Sequence, residues 1–232
     1  MSMHHHAAPR LRAARTTLFA GLALALAVAL PAAFAQTASA TPLSGTVSVD
    51  AGYDTGGTPG GSYFRLEFPG GGGYYDNTSS ANADGTYTLL SQGTTGLDLG
   101  TNQNPASPAF DLSYNSLSDD ILSPTPFADT VNSATYDFSV ATPSTDVTVT
   151  PNVPHTAVSL DQTGGGTVRP LTGDLSSWTA YWGGQVFTQG STSLTSSTWN
   201  SSTGAVVLNW TSTVVGGPFN GFTGHWHIEG VN

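Results

Sequence analysis

Two histidines and a glutamate alternate near the C terminus, His225, His227 and Glu229, and no other spacing in the chain leads so directly to chemistry. Side chains two apart on a strand share a face, and two imidazoles so placed can ligate one zinc ion. A third ligand is required. Glu229 lies one further step along, at about 6.8 Å per two residues, and His155 is the alternative from elsewhere in the chain. A completed set would support a metal-dependent hydrolase. Ligands at i, i+2 and i+4 on one strand are collinear, however, and suit a tetrahedral ion poorly. The expectation is therefore polar surface on a last strand, with no cofactor implied.

Other chemistries are less well served. Ser80, Asn82, Asp84 and Gly85 match the first half of an oxygen-ligand calcium loop, but the twelfth position is Ser91 where a bidentate Glu is needed. Asp84-Gly85 therefore reads as hairpin chemistry. Glu67 and Glu229 are the only glutamates, and paired-carboxylate glycoside hydrolysis would need them to flank one cleft. No Gly-x-Ser-x-Gly elbow occurs in a fitting context. Five aromatic residues, Tyr74, Tyr75, Trp178, Tyr181 and Trp182, could form an exposed platform on which sugars stack. Against this, Trp178, Tyr181 and Trp182 have the i, i+3, i+4 spacing of a core-facing stripe.

The elements that must position these residues are strands. Segments of alternating polarity run over 43–50, 63–68, 86–90, 136–141, 147–150, 157–161, 205–215 and 222–230, separated by Gly, Asn, Asp and Ser. Asn82-Ala83-Asp84-Gly85 and Ser202-Thr203-Gly204 supply glycine where hairpins need positive φ. Phe222, Gly224, Trp226 and Ile228 form the core face opposite the histidines. Residues 92–132 lack periodicity and are rich in Pro, Ser, Asn and Asp, which predicts a long irregular excursion packed on the domain. Only 174–187 invites a helix, after an N-cap-like Asp174 or Ser176 and before Gly183-Gly184. The predicted fold is all-β, an antiparallel β-sandwich, with a barrel as second choice.

The N terminus reads as an export signal. Arg10, Arg12 and Arg15 precede an apolar run over 18–30, too short for a spanning helix, and Ala33-Phe34-Ala35 fits a small-residue cleavage site. A second site would cut after Ala40. The expected organisation is residues 1–35 as signal peptide and 36–232 as one β-rich domain, secreted or held at the cell surface and not inserted in a membrane after cleavage. That domain carries all fifteen acidic residues but only Arg65 and Arg169 as basic ones, a net charge near −13. Such a surface repels phosphate backbones and excludes nucleic acid as a partner. The absence of cysteine rules out disulfides, thiolate catalysis and thiolate metal sites.

Several blocks occur together: Gly61-Ser62-Tyr63-Phe64-Arg65-Leu66, Pro108-Ala109-Phe110-Asp111, Leu171-Thr172-Gly173-Asp174-Leu175-Ser176, and Val215 to Gly224 running into Trp226-His227-Ile228-Glu229-Gly230. They resemble a group of uncharacterised secreted bacterial proteins ending in a GGPFNxFTGxWHLEG-like phrase. In that phrase other residue types take the place of His225. The resemblance implies secretion but brings no activity, cofactor or site residue. Functionally the sequence points to an exported extracellular or envelope protein, non-catalytic and engaged in binding or structure. Its partner would be a glycan or another cell-surface component. The alternatives are a carbohydrate-binding module using exposed aromatics, and the metal-dependent hydrolase of the His-x-His-x-Glu face.

Overall fold

Val206, Leu208 and Trp210 alternate along one segment as Trp226 and Ile228 do along another, and burying both faces together makes the longest hairpin of the molecule. In the computed structural model, which describes residues 39–77, 84–117, 121–122, 127–129 and 134–232, strand Ala205–Thr213 pairs with strand Thr223–Val231 along its whole length. Leu208 faces Ile228, and Trp210 faces Trp226. All five of these apolar side chains are buried.

The other edge of the final strand is shared. Its first half pairs with Tyr63–Glu67, which pairs in turn with Tyr87–Leu89, and its last residues pair with Gly45–Val49. From this hub a ten-stranded antiparallel sheet extends through Thr198–Asn200, Val168–Asp174 and Ser159–Gln162 to Thr41–Pro42 on one side and to Leu97–Leu99 on the other. The sheet curls strongly into a half-barrel. Its concave side is closed by a five-stranded sheet in the order Gln185–Thr188, Thr179–Trp182, Ser139–Ala141, Ile121–Leu122, Ser91–Gln92. The all-β sandwich expected from the polarity pattern is what the chain forms, and its described part falls within one compact unit, Thr37–Asn232. The export segment read at 1–35 lies outside the described residues.

Aromatic rings join the two sheets. Trp226 stacks on Trp210 at 5.6 Å and on Phe64 at 4.8 Å, and meets the edge of Trp178 at 5.3 Å. Phe138 of the second sheet's layer stacks on Phe64 at 4.8 Å. Two indole donors are satisfied by one residue: Trp210 Nε1 donates to the Gln189 carbonyl and Trp226 Nε1 to Gln189 Oε1, both at 3.2 Å. Buried N–H groups left unbonded would each cost about 1–3 kcal/mol, so Gln189 sets the positions of both rings.

Three expectations are corrected. Residues 174–187 hold no helix: Asp174 ends one strand, and Thr179–Trp182 and Gln185–Thr188 form an antiparallel pair. Asp174 Oδ1 does accept the Ser176 amide at 2.8 Å, but this closes an Asx turn that leads into a strand. The helical spacing of Trp178, Tyr181 and Trp182 arises because Thr179–Trp182 is buried on both faces, with Tyr181 turned toward Phe110 and Trp178 toward the core. Residues 147–150 are not a strand. Pairing stops at Thr145–Asp146 because the Asp146 carboxylate takes the Thr148 N–H at 2.8 Å, withdrawing it from a ladder. Finally, the stretch 92–132 is not merely packed on the sandwich. Gln92 and Ile121–Leu122 belong to the second sheet, and Leu97–Leu99 to the first.

Candidate functional site on the outer face of the curled sheet

Because the final strand buries every second residue, the intervening positions of four adjacent strands form one convex, solvent-facing surface. Register places Thr211, His225, Arg65 and Tyr87 in one row across the strands. Asn209, His227 and Tyr63 form the next, and Thr213, Thr223 and Glu67 a third.

Side-chain bonds knit the rows together. Glu67 Oε2 is 2.9 Å from His225 Nε2, and Glu229 Oε1 is 2.9 Å from His227 Nε2. The second nitrogen of His227, Nδ1, lies 2.6 Å from Asn209 Oδ1. Asn209 Nδ2 donates to the Ser196 carbonyl at 3.4 Å, which fixes the amide with its oxygen toward the ring. Both nitrogens of His227 thus lie within hydrogen-bond reach of side-chain oxygens. The Tyr63 ring lies over it at 4.9 Å between centroids, inclined by 23°. Burial first, then the neighbouring Tyr87 and the Glu229 carboxylate, raise the Tyr63 hydroxyl above the ordinary tyrosine pKa, with Arg65 opposing.

Arg65 is held on all sides. Its guanidinium lies 3.5 Å from the Tyr74 ring centroid and 4.2 Å from that of Tyr87. Nε donates to Thr86 Oγ1 at 2.8 Å, Nη1 to the Tyr87 hydroxyl at 3.0 Å, and Nη2 pairs with Asp84 Oδ2 at 3.2 Å. The glycine run 70–73 makes this possible: Phe68 N–H donates to the Gly73 carbonyl at 2.9 Å, folding the chain back so that Tyr74 bridges Glu67. Gly70 at φ 81° and Gly71 at φ 77° adopt the left-handed conformation this turn needs.

Between these rows lies an open groove of about 220 Å³, bounded by Tyr63, Thr195, Asn209, Thr211, His225 and His227. A second hollow, between the sheets among Phe64, Phe138, Trp182, Phe187 and Phe219, has about 20 Å³ and admits no more than a water-sized guest.

The residues singled out from sequence fare unequally. His225, His227 and Glu229 do share the outer face, but the two imidazoles turn to different carboxylates, and among the described residues no group of three or more His, Asp or Glu side chains is arranged to hold a metal ion. His155 is elsewhere, 3.8 Å from Asp146. Of the proposed sugar platform, Tyr75, Trp178, Tyr181 and Trp182 are 6%, 0%, 3% and 4% exposed and belong to the interior, which leaves Tyr74 at 37%. Packing explains the difference: Tyr75 meets Phe219 at 5.1 Å inside the fold, while its neighbour Tyr74 points the other way onto Arg65. In the calcium-like segment Ser80 and Asn82 lie outside the described residues. Asp84 there accepts the Thr86 amide at 2.7 Å as a turn residue.

Sequence reasoning did not place Tyr63, Asn209 and Thr211 in a site. Alternation in 63–68 and 205–215 already set them opposite the buried positions, but only pairing order brings them beside the histidines. Comparison with known proteins adds nothing to this geometry: no protein-family model, no curated protein and no solved structure matches the chain.

Proposed function

We propose that the protein is an exported, non-catalytic binding protein of the cell surface or extracellular medium, and that it holds a hydroxyl-rich ligand, a glycan, in the groove on its outer face. The observation that carries this reading is the composition of that groove. A tyrosine ring stacked on His227 lies beside the hydroxyls of Thr195 and Thr211, the Asn209 amide and His225. Aromatic rings with polar edges suit sugar rings, and fixed hydroxyl, amide and imidazole groups match their alternating donors and acceptors. Export follows from the basic n-region, apolar run and small-residue cleavage sites, so the secreted form is expected to start at Gln36 or Thr41. The strong acidity of the mature chain disfavours nucleic acid as the ligand.

Titration calorimetry of the purified exported protein against a panel of oligosaccharides tests the reading. Binding is expected to be abolished by Thr211→Trp, which fills the groove from an exposed position, and kept by Leu112→Asn, at a fully exposed site on a different loop. A panel with no binder, or a binder indifferent to Thr211→Trp, would sink it.

A further inference from the structure

Resting on that reading, we infer that the groove selects uncharged glycans and rejects those bearing uronic acid or sulfate groups. Recognition of an anionic sugar calls for a cation with donors to spare, usually an arginine or lysine. The chain contains no lysine, and the part predicted to be exported has two arginines. Arg65, beside the groove, has its Nε, Nη1 and Nη2 engaged by Thr86, Tyr87 and Asp84, and its guanidinium lies against the rings of Tyr74 and Tyr87. Arg169 donates to the Gly166 carbonyl at 2.9 Å and to Gln162 Oε1, and lies over Trp199. His227 pairs with Glu229, and His225 with Glu67. No unmatched positive charge therefore borders the groove among the described residues.

What the surface offers instead is acceptors. Each glutamate gives one oxygen to a histidine, and the second oxygen, Oε1 of Glu67 and Oε2 of Glu229, has no hydrogen bond among the described residues. Both side chains are partly exposed, at 26% and 39%. A sugar hydroxyl donating to such a carboxylate forms a charge-assisted bond, roughly twice as strong as a neutral one. A sugar carboxylate in the same place meets like charge and leaves the glutamate oxygens without a donor. The same two groups therefore favour a neutral, hydroxyl-rich chain and exclude an acidic one.

The test compares a neutral oligosaccharide bound by the exported protein with its uronic acid counterpart of the same linkage, at low and at physiological salt. The acidic sugar should bind about ten-fold more weakly or worse at low salt, with the gap narrowing as salt screens the repulsion. Glu67→Gln combined with Glu229→Gln, which keeps an oxygen for each histidine, should narrow it further. Acidic sugars binding as tightly as neutral ones, or a gap that survives both substitutions unchanged, overturns the charge selection while leaving glycan binding intact. If neither sugar class binds, the underlying reading fails and this inference falls with it.

Discussion

Asn209 and His227 face each other across the final hairpin with their Oδ1 and Nδ1 atoms 2.6 Å apart, and on the far side of the same ring Glu229 Oε1 stands 2.9 Å from Nε2. The ring is held between these two oxygen atoms, which fix its orientation on the outer face. NMR of the folded protein should show a His227 ring fixed in one orientation, and Asn209→Ala, which removes one of the two contacts, should increase its mobility. A ring equally ordered in the parent and in Asn209→Ala would contradict the clamp.

Trp226 is the ring through which both sheets meet, in contact with Trp210, Phe64 and Trp178. Trp226→Ala should destabilise the domain by about 3–5 kcal/mol, the range for large aromatic truncations, and leave the Gln189 side chain without its indole donor. Chemical denaturation measures this, and a midpoint unchanged from the parent would mean that the strand register is wrong.

The buried Asp146 carboxylate should make the domain acid-labile. Burial alone would raise its pKa, but hydrogen bonds from the Thr148 hydroxyl and amide and the Thr188 hydroxyl, with the nearby His155 charge, outweigh it and hold the group below the ordinary carboxylate value. A depressed folded pKa means the unfolded chain binds the proton first. The stabilisation is thus present above about pH 4 and is lost as pH falls through the folded pKa. Asp146→Asn should be less stable than the parent near pH 7 by about 1–3 kcal/mol, with the difference shrinking toward pH 3. A difference independent of pH would refute the linkage.

Tyr63 carries the opposite prediction at the alkaline end. Its folded pKa is raised, chiefly by burial, so its contribution is complete below about pH 10 and is lost as pH rises through the folded value. Ultraviolet titration should show a tyrosine ionising above the ordinary range, and Tyr63→Phe, which keeps the ring over His227, should remove that late step. Its persistence in the variant would assign it to another residue.

Gly230 tests the junction that shares out the final strand. A Cβ built there would lie 2.2 Å from the Ser48 carbonyl oxygen, at the point where Gly45–Val49 takes over pairing from Tyr63–Glu67. Gly230→Ala should separate these strands and lower the thermal midpoint by several degrees, since backbone cannot give way as a side-chain tip can. An unaltered midpoint would show that the crossing is looser than drawn.

Polarity alone was enough for part of this molecule. The alternation in 205–215 and 222–230 determined that Val206, Leu208, Trp210, Trp226 and Ile228 would be interior, and that His225, His227 and Glu229 would share the opposite face, because side chains on a strand alternate with period two whatever lies beside them. It could not determine neighbours. That His225 meets Glu67 while His227 meets Glu229 and Asn209 follows from strand order and register, set by contacts between residues up to 158 positions apart. The same gap explains the aromatic residues. Tyr74 and Tyr75 are adjacent and chemically identical, yet one covers Arg65 on the surface and the other packs against Phe219, while Tyr181 and Trp182 are hidden because their strand is buried on both faces and Trp178 because it packs on Trp210 and Trp226. A sequence carries the period of a face, but whether that face meets solvent, a second sheet or a groove depends on which distant segment packs against it, and only the tertiary structure decides that.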